Sequence, residues 1–155
     1  MSTPSSKKSA PPKTSDMLIG ALLRVPAQAI HRRIIKDLNA AGFEELSMPH
    51  IAVLQFPGPD RVRPSVLAER AGMTKQAMNR LLGSLEESGY LVRSNALDEG
   101  RARVVRLTKR GHAAYSKIHD ILRDIEREWR AELGYNDFAR LKELLARVWD
   151  GPLIR

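Results

Sequence analysis

Two short helical stretches meet at one tight turn, and a β-prone pair of segments follows at once. No other feature restricts the fold of this chain so strongly. Ser65 to Ala71 reads as a helix with Val66, Leu67 and Ala71 inward, and Gly72 closes it. Thr74 is an N-cap candidate for a longer helix reaching Gly89, with Leu81, Leu82 and Leu85 inside. The intervening Ala71-Gly72-Met73 has the length and the glycine that a helix-turn-helix requires. Tyr90-Leu91-Val92-Arg93 is β-prone, Asn95 to Gly100 is turn-rich, and Arg103 to Leu107 alternates again. Residues 90–107 therefore read as a hairpin. Together these pieces make a winged helix. Its second helix can enter a major groove while the hairpin reaches the adjacent minor groove or backbone.

Helices flank this unit on both sides. From Asp16, apolar residues recur at helical spacing through Leu18, Leu22, Ile30, Ile34 and Leu38. Pro26 predicts a kink or break near Arg24–Pro26, and Gly42 ends the stretch. Ser47 caps a short helix from Met48 to about Phe56, with Pro49 in its first turn. Pro57 to Asp60 is a turn, and Arg61-Val62-Arg63 reads as a short strand. Thr108 caps a long helix with a stripe through Ala114, Ile118, Ile121, Ile125 and Trp129. Gly134 breaks it, and a last helix carries Phe138, Leu141, Leu145 and Trp149. The expected class is mainly α (α+β), a winged helix-turn-helix with N- and C-terminal dimerisation helices. Residues 1–15 form a basic tail with too little apolar surface to offset its ordering entropy, hence expected to be disordered. Residues 16–45 and 112–150 are assigned to dimerisation helices, and 46–111 to the DNA-binding lobe. Intrachain neighbours are too few to cover the apolar terminal helices, which points to a second copy.

Charge supports the same unit. The chain has 155 residues and a net charge of +8. Residues 61–110 hold 11 basic and 5 acidic side chains, six of those eight charges. A basic patch confined to one region is the footprint of a polyanion partner. The absence of cysteine excludes disulfides, cysteine zinc sites and thiol chemistry. Apolar runs are broken too often for a membrane span, and no apolar run precedes Asp16, so a cytoplasmic location is expected.

Within the basic region, Lys75, Gln76, Asn79 and Arg80 cluster at the start of the second helix, where base edges are read. Ala77, Leu81 and Leu85 are expected on its packing side, the small Ala77 allowing close approach of the first helix. Thr74 and Ser65 complete the expected DNA contacts on the helices. Arg93, Arg101 and Arg103 supply those of the wing. Arg101 stands near the hairpin tip, suited to a narrow minor groove, with Glu99 or Asp98 placed to orient it.

The stretch RPSVLAERAGMTKQAMNRLLGSLEESGYLVRSNALDEGRARVVRLTKRG, Arg63 to Gly111, resembles the MarR family of bacterial transcriptional regulators. L-A-E-R-A-G-M-T-K-Q-A-M is similar to the family's helix-turn-helix. L-E-E-S-G-Y-L-V-R is similar to its helix end and first wing strand, and G-R-A-R-V-V-R-L-T-K-R-G to its wing return. The helical pattern extends the resemblance over about residues 16–150. The family wing reads Asp-Pro-x-Asp-x-Arg, whereas this chain has Ala96-Leu97-Asp98-Glu99-Gly100-Arg101. The resemblance implies an obligate homodimer on a pseudo-palindromic operator, acting as a repressor. It also implies a small aromatic or phenolic effector, for which Arg24, His31, His50, Phe56 and Trp149 are unranked candidates. No cofactor or metal is expected. The four histidines show no HExxH pair and there is no Gly-rich phosphate loop, which argues against an enzyme. A winged helix for protein or RNA contact, or nonspecific DNA architecture, remains the alternative. A polar rather than apolar start to the second helix favours duplex DNA.

Overall fold

The computed structural model describes residues 13–55, 58–94 and 103–151. Six α-helices and one two-stranded sheet follow in the order α1 (Ile19–Ala40), α2 (Met48–Leu54), α3 (Pro64–Arg70), α4 (Lys75–Glu87), β1 (Leu91–Arg93), β2 (Val105–Leu107), α5 (Lys109–Leu133) and α6 (Tyr135–Asp150). Two N-caps behave as their residue types predict. The Thr74 hydroxyl accepts from the Ala77 N–H at 3.1 Å, and the Thr108 hydroxyl from the Gly111 N–H at 3.1 Å.

The N-terminal region differs from expectation in three places. Asp16 falls in a separate 3₁₀ turn, Thr14–Asp16, so α1 starts only at Ile19. That turn includes Thr14 and Ser15, which composition alone placed in a disordered tail. Pro26 does not break α1, which runs for 22 residues through it. Proline deprives the Leu22 carbonyl of its partner, but Leu22 and its neighbours are exposed there, so water can take the vacant acceptor.

α2 ends at Leu54 because Gln55 is already extended, with ψ 168°. Residues Phe56 and Pro57 lie outside the described residues. Arg61-Val62-Arg63 is not a strand. Arg61 adopts the left-handed conformation, with φ 59°, which stops a ladder from propagating. The segment still borders β2: the Arg61 N–H donates to the Val105 carbonyl at 2.6 Å, and the Val105 N–H to the Val62 carbonyl at 2.9 Å. Asp60 accepts from the Leu107 N–H at 2.8 Å.

β1 and β2 pair antiparallel, with Leu91 opposite Leu107 and Arg93 opposite Val105. The strands are three residues each, shorter than the 90–107 hairpin expected, and residues 95–102 lie outside the described set. One continuous core runs under the lobe and the long helices. It includes Ile34 and Leu38 of α1, Leu54 of α2, Met78 and Leu82 of α4, Tyr90, Leu91, and Ile118 of α5. Gly111 lets α5 start against β1: a Cβ there would lie 1.9 Å from the Tyr90 carbonyl oxygen. Arg33 ties α1 to α5, pairing with Asp37 at 2.6 Å and Glu128 at 3.2 Å.

α6 folds back on α5. Phe138 is buried with Arg130 and Lys142 over its ring, and Lys142 reaches Glu126 at 2.7 Å. Both terminal helices keep apolar surface in water. Ile19 is 69% exposed and Trp149 76%, with Leu23, Val25, Leu144 and Val148 also open. Among the described residues no helix is long and apolar enough to cross a membrane.

Candidate nucleic-acid interface

The polarity of α4 sets the geometry of the site. Met78, Leu82 and Leu85 lie at i, i+4 and i+7 and are buried in the core. Lys75, Gln76, Asn79 and Arg80 are exposed on the remaining arc of the helix. Among the described residues none of these four side chains has a hydrogen-bond or ion-pair partner. Two cations and two amides therefore stand free at one helix start.

Ala77 departs from its expected place. It is exposed, and Met78 takes the buried position instead. Burying a methionine removes far more apolar surface from water than burying one methyl group, so the helix rotates to favour Met78. Thr74 is engaged as the N-cap.

Ser65, exposed in the first turn of α3, and Lys75 line one shallow depression with Glu69 and Met73. The helix-turn-helix therefore brings those two candidates together. The turn between α3 and α4 depends on Gly72, whose φ of 59° is left-handed and is adopted most cheaply by glycine.

The wing candidates are divided. Arg93 is not free. Its Nε donates to a Glu86 oxygen at 2.8 Å, and its backbone N–H to the other at 2.9 Å. The Arg93 backbone N–H, and then its guanidinium, hold the Glu86 carboxyl below the usual carboxylate range. This clamp fixes the end of β1 to α4. Arg103 is exposed before β2. Arg101, Asp98 and Glu99 lie outside the described residues.

Sequence reasoning missed a cluster at the root of the wing. The buried Tyr90 donates its hydroxyl to Glu45 at 2.9 Å. Arg110 donates to the other Glu45 oxygen at 2.7 Å and stacks 4.7 Å above the Tyr90 ring centre. No local pattern announces a triad whose members are 45 and 65 residues from Glu45. Its effect is to pin the α1–α2 loop to the hinge between α4, β1 and α5.

The effector candidates scatter. Trp149 lines a cleft of about 420 Å³ with Val53, Gln55, Leu67 and Arg70. Arg70 was not singled out from the sequence. Arg24 bonds Gln28 on the open side of α1, and His31 is exposed on the same helix; neither lines this cleft. His50 completes a capping box, its Nδ1 accepting from the Ser47 N–H at 3.2 Å. Burial holds its imidazole below its ordinary pKa. Phe56 lies outside the described residues.

A helix-turn-helix, a two-stranded wing and a free polar face at the start of the second helix define a winged helix-turn-helix DNA-binding protein. Comparison with known proteins points to a family. A profile described as MarR family matches residues 51–103. The HTH-type transcriptional repressor Rv2887 of Mycobacterium tuberculosis is 27% identical over 137 residues, 86% of this chain and 94% of that protein. Its crystal structure in complex with salicylic acid is similar with a TM-score of 0.63 at 25% identity, covering 88% of this chain and 99% of that one. The complex of the same mycobacterial protein with DNA is similar with a TM-score of 0.64 at 24% identity, covering 86% of this chain and 98% of that one. The Streptomyces coelicolor regulator PcaV, solved with its natural ligand, has a TM-score of 0.63 at 23% identity, covering 92% and 99% of the two chains. By these matches the chain is similar to the MarR family of transcriptional regulators.

Proposed function

We propose that this protein is a homodimeric repressor in the cytoplasm that binds pseudo-palindromic operators and is released by a small aromatic acid. The carrying observation is the free polar arc of α4, whose Lys75, Gln76, Asn79 and Arg80 have no protein partner among the described residues. Desolvating unpaired cations and amides is compensated when base edges and phosphates replace the lost water. In this reading Gln76 and Asn79 contact bases, Lys75 and Arg80 reach bases or phosphates, and Ser65 contacts a phosphate. Arg101 enters the minor groove, and Arg103 tracks the backbone.

The exposed apolar residues of α1 and α6 support dimerisation, since a monomer would leave them in water. The cleft under Trp149 supports an effector seat. An indole face and the side chains of Val53 and Leu67 suit an aromatic ring, and Arg70 suits its carboxylate. The mycobacterial relative crystallised with salicylic acid favours the same class of compound.

The test is operator selection followed by displacement. Random duplexes bound by the protein should converge on an inverted repeat, and salicylate should release it. Arg70→Ala should resist release while binding DNA normally. Bound pools with no shared sequence would overturn the repressor reading.

A further inference from the structure

Gly83 sits in the ninth position of α4, in the helix interior. Glycine is the least favourable helix-interior residue after proline. Such a residue normally persists because the fold needs its missing side chain, as at Gly111. At Gly83 the fold makes no such demand. A Cβ built there meets nothing within 4 Å, and its φ is not left-handed. Gly20 is equally open, but it lies in the first turn of α1, where glycine costs little.

The position of Gly83 supplies the missing reason. Residues 76, 80, 83 and 87 follow i, i+4, i+7 and i+11, a single stripe opposite Met78, Leu82 and Leu85. Gly83 therefore continues the line of Gln76 and Arg80. At about 1.5 Å per residue it lies roughly 12 Å from the helix start, a distance comparable to the width of a major groove. A glycine at that point removes the side chain that would hold the helix off.

We propose that Gly83 is the point of closest approach between α4 and the sugar–phosphate backbone of duplex DNA. The bare backbone lets the helix settle deeper, so that Gln76 and Asn79 reach base edges. The inference rests on the reading of α4 as the recognition helix. It adds a residue that acts through absence, at a measurable expense in helix stability.

Gly83→Ala tests it with two independent readouts on the full-length protein. The variant should unfold at a temperature higher by about 2–4 °C, because alanine is the better helix former and meets open space. It should also bind the selected operator more weakly by about tenfold, as phosphate contacts at that point are lost. Gly83→Ser, also small, should weaken binding by a similar factor. A more stable variant with wild-type affinity would overturn the proposal, as would a destabilised variant, since the space would then not be open. Gln76→Ala serves as the control for the parent reading. If it alters base preference while Gly83→Ala binds normally, only the proposal fails. If neither variant changes binding, the assignment of α4 as reader fails.

Discussion

Gly111 and His50 carry different kinds of structural obligation, and both can be measured. At Gly111 a methyl group would meet backbone, the Tyr90 carbonyl, at 1.9 Å, so either α5 or β1 must move. Gly111→Ala is expected to lose about 2–4 kcal/mol in urea unfolding, a cost typical of overpacking against a rigid neighbour. His50 is coupled to pH instead. Burial favours its neutral form in the folded state, below the ordinary value of 6.5. The unfolded chain therefore binds the proton first, so the stabilisation is complete above about pH 6.5 and is lost as pH falls below it. His50→Gln keeps an acceptor for the Ser47 N–H and does not titrate. Between pH 7.5 and 5.5 the urea midpoint of the variant should fall less than that of the wild type. Equal falls would show that the imidazole is not the group responsible.

At the scale of elements, local chemistry was readable and distant chemistry was not. Thr74 and Thr108 announce their helices because a cap needs only a hydroxyl and the next turn. The hairpin and the Gly72 turn were legible for the same reason. Pro26 does not break its helix, because its penalty depends on the surroundings. In an exposed turn water can take the orphaned carbonyl, and α1 continues. Ala77 misleads because the pattern permits two stripes, and only packing decides for Met78. Arg93 was legible as a basic wing residue but not as the partner of Glu86, which the fold brings to it from α4. The Glu45–Tyr90–Arg110 triad is assembled entirely by tertiary structure. Proline inside α1 still leaves one helical hydrogen bond unmade. Pro26→Ala should therefore raise stability by about 1–2 kcal/mol, measured by thermal unfolding, because the Leu22 carbonyl regains its donor. An unchanged melting curve would mean that this turn frays in solution.

At the scale of the molecule, two features remain unbalanced in a single chain. The terminal helices expose Ile19, Leu23, Leu145 and Trp149, and the lobe exposes a basic polar face. In the proposed function a second copy of the chain would cover the first and duplex DNA would meet the second. Light scattering at micromolar concentration should give twice the 17.4 kDa chain mass. Ile19→Asp together with Val148→Asp should shift it toward the monomer and weaken operator binding together, because each half-site would then be held singly. The charge distribution is consistent with this division of labour, with six of eight net charges in residues 61–110 and none in 111–155.

The most direct measurement is selection of bound sequences from random duplexes, with the wild type beside Gln76→Ala and Asn79→Ala. The wild type should yield an inverted repeat with half-sites about one helical turn apart. Each variant should lose preference at one symmetric position per half-site, with a discrimination loss of about 1–3 kcal/mol. Unchanged preference at every base in both variants would contradict the assignment of α4 as the element that reads DNA.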